Sequence, residues 1–454
     1  MPTSSKVGMT FTYPEDLVRT LHKAWDNRDY PEQFIPDLPP DEQIRRFLEV
    51  AYHASMLTEE QRKIGFRLAF ISPDTALQLA GPVELGRLFE PVRFEVSRDF
   101  SVPEILRLAP ATDHTKVLIC VSPLNSNGEA SVEGSLRIWG LIDTGSSWLE
   151  FTTGQSKTGV PPPNCLTVSS IEPGNLTFSR EGTVLLSLKR GETVTPSRET
   201  LYQGPIAAVL KDAGDAITRD ACVAIGEEQY ETGSNGQDFP RRFYFRFLER
   251  LLFHIREKLH GGALLVVPDT RAADDPRLTR LVMIKYPCDY DHVWSLLVNS
   301  LALRAKHHKL HFEIYRSGSQ IPIEKYHQFA SLETQREVID RRISDSVRLI
   351  ASTSGVDGAV IITDRFRLIG FGAEITTLAP LREVHIARDH TAKKTTTVTI
   401  ESYGTRHRSA FRFCWEDEES VAFVVSQDGG VKGVKRVGDR LIFWPDINFG
   451  PLGI

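Results

Sequence analysis

Cysteine is scarce and scattered. Five residues, at 120, 165, 222, 288 and 414, form no CxxC pair and no ligand cluster. That spacing argues against a structural thiolate zinc site and points to a reducing compartment. Positive charge is not in excess: 54 Lys plus Arg stand against 59 Asp plus Glu, a net charge of -5. Bulk electrostatics therefore give no reason to expect nucleic acid or an anionic membrane as a partner. No stretch approaches the roughly 18 apolar residues of a spanning helix. The N-terminal MPTSSKVGMTFTYPEDL lacks the basic-then-apolar order of a signal peptide. No internal repeat or long low-complexity tract is evident. These absences together predict a soluble, cytoplasmic protein with neither membrane nor nucleic-acid partner.

What is present is an ordinary globular composition. Hydrophobic residues make up 41% and charged residues 25% of 454 positions, which excludes a mostly disordered chain. At about 150 residues per domain, this length predicts about three domains or two large ones.

The texture of the chain changes along its length. Residues 1–115 read as the helical part of an N-terminal region: EDLVRTLHKAWDN and DEQIRRFLEVAYHASML carry apolar residues at spacings of three and four. VELGRLFE and VPEILRLAP are shorter helical candidates. Residues 116–208 read as a β-rich part, with KVLICVS, SLRIWGLI, SWLEFTT, CLTVSSI, LTFSR and TVLLSLKRG separated by Gly, Asn, Ser and Pro. Residues 209–239 read as a helix and an acidic linker. Residues 240–454 read as one mixed α/β unit, in which Phe243, Phe247, Leu251, Ile255 and Leu259 share a helix face and ALLVVPD and VIIT are buried strands. The expected class is α/β: a mixed-sheet C-terminal domain preceded by an α+β region.

Two short motifs carry the chemistry. Asp357-Gly358-Ala359 stands immediately before an apolar strand. A carboxylate there suits Mg²⁺ or Mn²⁺ beside a polyphosphate, or the orientation of a ribose hydroxyl. Gly358 allows close backbone approach, and the small Ala359 leaves room for a flat base or sugar. Thr405-Arg406-His407-Arg408 follows a strand and opens a helix. Such a start directs backbone N–H groups and the helix dipole at a phosphate. Arg406 and Arg408 add charge-assisted forks, Thr405 a hydroxyl and His407 a hydrogen bond. The blander reading is an exposed basic turn with Thr405 as a helix cap.

The wider order is ALLVVPD, DGAVIIT, LIGFGAEI, GTRHRSA and AFVVSQDGGV, over about 240–445. This series resembles the nucleotide-binding domain of the diadenylate cyclases, the DisA_N or DAC family. The resemblance implies that two ATP molecules are joined into cyclic di-AMP with release of pyrophosphate. It implies a divalent metal and a homodimer, or higher homo-oligomer, of facing domains, each holding one ATP. It makes Asp357, Arg406 and His407 catalytic. Gly358, Ala359, Thr405, Arg406, His407, Arg408 and Ser426 would hold nucleotide, and Asp357 and Asp428 would hold metal. The chain departs from the family in having Ser426-Gln427-Asp428 for Ser-Glu-Glu and Val356 where some members have histidine. Residues 270–330 are hard to match. The alternative is therefore a nucleotide-binding sensor of the same fold with weak or no turnover. The N-terminal half resembles the sensor class called DACNV, implying regulation by an unidentified small molecule.

Other signals are weaker. Asp143-Thr144-Gly145 resembles an aspartic-protease loop, but the chain has no second Asp-Thr-Gly or Asp-Ser-Gly to share a proton with it. His307, His308 and His311 lack the glutamate of a zincin helix and read as a solvated basic face.

Overall fold

A computed structural model of the chain describes residues 12–25, 36–59, 62–81, 88–114, 116–124, 134–144, 163–170, 173–181, 183–189, 191–194, 199–230, 239–258, 261–316, 322–425 and 430–447. The chain divides into two compact units, one within Met1–Pro196 and the other Ser197–Phe449.

In the first unit, helices α1 (Pro14–Trp25) and α2 (Asp41–Ser55) are amphipathic; α2 buries Ile44, Phe47, Leu48, Ala51 and Ser55 at helical spacing. A two-residue hairpin, β1 (Thr58–Glu59) and β2 (Arg62–Lys63), leads into β3 (Phe66–Phe70). Helix α3 (Pro73–Ala80) starts where Ser72 Oγ accepts the Thr75 N–H at 3.1 Å, with Pro73 in the first turn. Strand β4 (Glu90–Asp99) and helix α4 (Val102–Leu108) follow. Then come β5 (Val117–Leu124), β6 (Ser135–Asp143), β7 (Leu166–Ser170), β8 (Leu176–Arg180), β9 (Thr183–Lys189) and β10 (Glu192–Val194).

Strands β1 and β2 pair only with each other, and the other eight described strands form one sheet in the order β10-β9-β8-β7-β3-β5-β6-β4. Strands from both sides of residue 115 thus share a single sheet. Only β3 and β5 pair in parallel; their neighbours pair antiparallel. Helices α1, α2 and α4 cover one sheet face, where Phe66, Leu68, Ile119, Val168, Phe178 and Leu186 join Phe47 and Leu48 in the core. Glu90, the last residue of the helical candidate VELGRLFE, opens β4, and residues 82–87 lie outside the described set. The candidate strand SWLEFTT also lies outside it.

The second unit begins with α5 (Glu199–Tyr202), α6 (Gly204–Ile225) and α7 (Phe239–Glu257). Gly226 ends α6 in the left-handed region. In α7, Phe247, Leu251 and Ile255 are buried as the helical pattern requires, and Leu259 lies outside the described residues. Strand β11 (Gly262–Val267) is buried along its whole length. Helix α8 (Pro276–Thr279), strand β12 (Val282–Tyr290) and the long helices α9 (His292–Arg316) and α10 (Ile323–Thr353) follow. Strands β13 (Ala359–Thr363), β14 (Leu368–Ile375), β15 (Glu383–Ala387) and β16 (Thr395–Thr399) precede helix α11 (Thr405–Glu416). Strands β17 (Val421–Val425), β18 (Val431–Val437) and β19 (Arg440–Trp444) complete the unit.

This is an α/β fold on a mixed sheet, ordered β12-β14-β13-β11-β17-β18-β19-β15-β16. Parallel pairing is confined to β11–β13 and β15–β19. Because β11 and β13 are central, they read as continuous apolar runs. Helix α11 packs on one face, and its Phe411, Phe413 and Cys414 share a core with Leu265, Ile361 and Val424. Residues 270–330 supply the edge strand β12, helix α9 and the start of α10. Among the described residues, no helix is long and apolar enough to cross a membrane.

Candidate functional site

Asp357 lies in the turn between α10 and β13, and Arg406 is the second residue of α11. The fold brings Arg406 Nη2 to 3.9 Å from Asp357 Oδ1. Their side chains are 46% and 86% exposed, so a screened attraction of this kind contributes only about 0–1 kcal/mol. The sheet and helix hold the two groups near each other, and both remain open to a ligand.

Thr405 begins α11 and is exposed, while Gly404 occupies the cap position with no side-chain hydrogen bond. The first-turn N–H groups are therefore not claimed by a capping side chain, an arrangement suited to an anion. Arg408 is half-buried one turn further on, its N–H donating to the Gly404 carbonyl at 3.1 Å.

His407 is not gathered with Asp357 and Arg406. Its ring packs among Tyr403, Phe411 and Phe443, at centroid distances of 5.7, 6.3 and 6.0 Å. Burial, with Lys432 adding repulsion, pushes its pKa down to about 4. The imidazole is thus neutral at physiological pH.

Gly358 has φ +123°, and a Cβ there would stand 2.5 Å from the Gly372 carbonyl carbon. The close approach that demands glycine is made to the backbone of β14. Ala359 is buried in the sheet core, opposite Ala263 and Ala373. Ser426 and Asp428 lie outside the described residues. Among the described residues, no group of three or more His, Cys, Asp or Glu side chains is placed to hold a metal ion.

Two features of this unit carry no motif in the sequence. The first is an aromatic pair at the sheet edge: Tyr286 and Phe371 stack at 4.9 Å and 19°. Gly372, with φ +62°, lies against both Tyr286 and Val356, which places this pair beside the Asp357 turn. Tyr286 is 51% exposed. The second is a polar network at the opposite ends of β11 and β13. Thr363 Oγ1 donates to Asp269 Oδ1 at 2.8 Å, and the Asp269 N–H donates to Asp364 Oδ1 at 3.0 Å. Burial, then the charge of Asp269, raises the Asp364 pKa to about 6. Arg367 donates to the carbonyls of Asp269 and Arg271 at 2.9 and 2.8 Å. Arg271 grips Asp417 with both terminal nitrogens and also reaches Glu419 at 2.8 Å.

The weaker motifs find structural roles. Thr144 Oγ1 donates to the Lys116 carbonyl at 2.7 Å beside the end of β6; Gly145 lies outside the described residues. His307 packs against Phe329 at 4.3 Å with the rings tilted by 37°, between α9 and α10.

Residues 33–143, from before α2 through β6, match the family model described as "Probable sensor domain DACNV". No curated protein matches the chain. The N-terminal unit is thus sensor-like, and the C-terminal unit is an α/β fold on a mixed sheet.

Proposed function

We propose that the C-terminal unit is a diadenylate cyclase, condensing two ATP into cyclic di-AMP, and that the sensor-like N-terminal unit regulates it in response to a small molecule. One observation carries this reading. Asp357 and Arg406, each from a motif that resembles the cyclase family, converge at 3.9 Å beside a helix start with no side-chain cap.

The reaction joins a 3'-hydroxyl oxygen of one ATP to the α-phosphorus of the other. The new P–O bond forms as the bond to pyrophosphate breaks, and the hydroxyl proton is released. Repeating the step in the other direction closes the ring and frees a second pyrophosphate. Asp357 orients the attacking hydroxyl and assists loss of its proton. Arg406, Arg408, Thr405 and the first N–H groups of α11 hold phosphate oxygens and offset the charge that develops there. His407, neutral and packed, keeps this turn of α11 against the sheet. Tyr286 offers a flat apolar surface for a purine.

Mg²⁺ keeps several water and phosphate ligands and needs only one or two protein carboxylates. The exposed Asp357 beside a phosphate-binding helix end fits that requirement, and the resemblance adds Asp428. The bound ion supplies charge neutralisation on the phosphate oxygens. The exposure of Asp357 and Arg406 suits a two-fold dimer in which each copy presents one ATP to the other.

The test is incubation of the full chain with ATP and Mn²⁺ or Mg²⁺, with nucleotides resolved by mass spectrometry. Cyclic di-AMP from the parent and not from Asp357→Asn is the expected result. Nucleotide binding without turnover in the parent would instead favour a nucleotide sensor, a reading that the departures at Val356 and Ser426-Gln427-Asp428 support. Product unaffected by the substitution would defeat the assignment of Asp357.

A further inference from the structure

Strand β12 is the outermost strand at one side of the second unit's sheet among the described residues, and it approaches the Asp357 turn. The approach is made around Gly372. This residue has φ +62°, and a Cβ there would stand 3.2 Å from Tyr286 Cδ2, 3.2 Å from Val356 Cγ1 and 3.5 Å from Lys285 Cβ. Val356 is the residue immediately before Asp357. Lys285 and the Asp357 turn thus border the space of a single missing methyl group.

The strand register agrees. Lys285 lies between Ile284, opposite Ala373, and Tyr286, opposite Phe371. Ala373 also pairs with Ala359, two residues after Asp357. Lys285 therefore sits at the same end of the sheet as Asp357. Arg406 approaches Asp357 from helix α11, and Lys285 flanks the same turn from strand β12.

Lys285 is exposed, and among the described residues its ammonium engages no carboxylate and no hydrogen-bond acceptor. Glu374, opposite Met283 and also exposed, does not pair with it. Elsewhere in this unit Lys309 is tied to Glu227 and Lys325 to Glu313. An unpaired cation beside an open carboxylate and a helix start keeps its charge for a ligand, and no enclosing cavity is needed. A lysine on an edge strand also discourages pairing with another strand. That role calls for no approach to Asp357 and makes a different prediction.

We propose that Lys285 is a phosphate-binding residue of the candidate site. It holds the β- and γ-phosphate oxygens of a nucleoside triphosphate, across Asp357 from the phosphate contacts of α11. The assignment rests on the reading of Asp357 and Arg406 as a nucleotide site. Lysine binds phosphate as a compact charge on a flexible stem, so it can follow a phosphate chain that departs. In the cyclase reaction negative charge builds on the leaving pyrophosphate, and the ammonium offsets it.

The test is calorimetric titration of the full chain with ATP, AMP and inorganic pyrophosphate, followed by steady-state product formation with ATP and Mn²⁺. Lys285→Met is expected to weaken ATP and pyrophosphate about tenfold, to leave AMP within about twofold and to lower kcat/KM about tenfold. Lys285→Arg keeps the charge and is expected to recover most of the loss. Lys306→Met, at an exposed position on α9, is expected to match the parent. ATP bound by Lys285→Met as tightly as by the parent would overturn the proposal. Equal weakening of ATP and AMP would also overturn it, by moving the residue to the sugar or base. So would equal weakening by Lys306→Met, which would reduce the effect to bulk charge. Self-association of Lys285→Met with unchanged ATP affinity would assign the lysine to guarding the edge instead. If the parent makes no cyclic di-AMP but its ATP affinity depends on Lys285, the cyclase reading fails and this one stands. If the parent turns over and Lys285→Met binds and turns over alike, this one fails and the cyclase reading stands. A parent that binds none of the three ligands would overturn both.

Discussion

The two units handle polar groups in opposite ways. The first encloses Arg67, Ser169 and Ser179 within one sheet face. The second leaves Asp357 and Arg406 in the open, at the end of a strand and the start of a helix. An enclosed set bears on stability, because breaking a buried polar network is costly. An open set cannot exclude water by itself, and it suits a large substrate met by a second copy of the same surface. The second unit repeats the contrast internally. Its network around Arg271, Asp417, Asp269 and Asp364 is largely enclosed and pins β11, β13 and the approach to β17, whereas the Asp357 edge is left free. The rule to be broken is that substitutions at enclosed groups change stability while those at open groups change function.

The largest effect is expected at Arg271. It and Asp417 are 4% exposed on both sides of their pair. Among the described residues, Arg271→Met would leave a buried carboxylate held by Ser420 Oγ at 2.7 Å and the Glu419 N–H at 3.2 Å, with no cation against it. Loss of about 3–5 kcal/mol is expected, read by denaturant unfolding. A change below about 1 kcal/mol would show that solvent reaches Asp417 and that the network is not enclosed.

The open edge should behave in the reverse sense. Arg406→Ala is expected to lower nucleotide turnover about 100-fold, equivalent to about 2.7 kcal/mol of transition-state stabilisation, with the melting midpoint within about 1 °C of the parent. Steady-state product formation and differential scanning calorimetry check the two halves of that statement. A large loss of stability would mean that Arg406 is structural.

Gly358 lies between these cases, being at the open edge yet pressed against backbone. Gly358→Ala would set a methyl against Gly372 and Ala373 at φ +123°. About 1–3 kcal/mol of destabilisation is expected from strain, measurable by urea unfolding. A neutral result would show that the turn shifts freely, and close packing against β14 would then not explain the glycine.

The same contrast governs what the sequence discloses. Buried central strands are legible because both faces are covered: ALLVV and AVIIT stand out as apolar runs bounded by Gly and Asp. Strand β12, VMIKYPCDY, does not. It is an edge strand with exposure on both faces and a proline, so neither alternation nor an apolar run marks it. With it went Tyr286 and the aromatic pair. The motifs around Asp357 and Arg406 were legible one by one, because glycine and charge cluster locally. Their approach to 3.9 Å depends on where α10 ends and where α11 begins relative to the sheet. The row of Arg67, Ser169, Thr177 and Ser187 across β3, β7, β8 and β9 was invisible for the same reason. Each hydroxyl alone is ordinary strand composition, and only the register of four strands lines them up.

The smallest effect tests whether Asp364 belongs to the enclosed set. Its carboxyl is raised to about 6 in the folded protein by burial and by Asp269, whereas an unfolded chain titrates it near 3.9. Between about pH 4 and 6 the folded state therefore binds more protons than the unfolded state, and stability falls as pH rises through that window. His407 acts in the opposite direction. Its pKa is pushed down to about 4, so its contribution is lost as pH falls below about 6.5, the unfolded value. Net slopes will mix the two, and comparison with a variant separates them. Asp364→Asn keeps an oxygen to accept the Asp269 N–H and removes the titration. The melting midpoint of the parent relative to that variant is expected to decline between pH 4 and 6.5 and to level off above it. A difference that stays flat would mean that Asp364 titrates as an open carboxylate, and the boundary between enclosed and open groups in the second unit would move to exclude it.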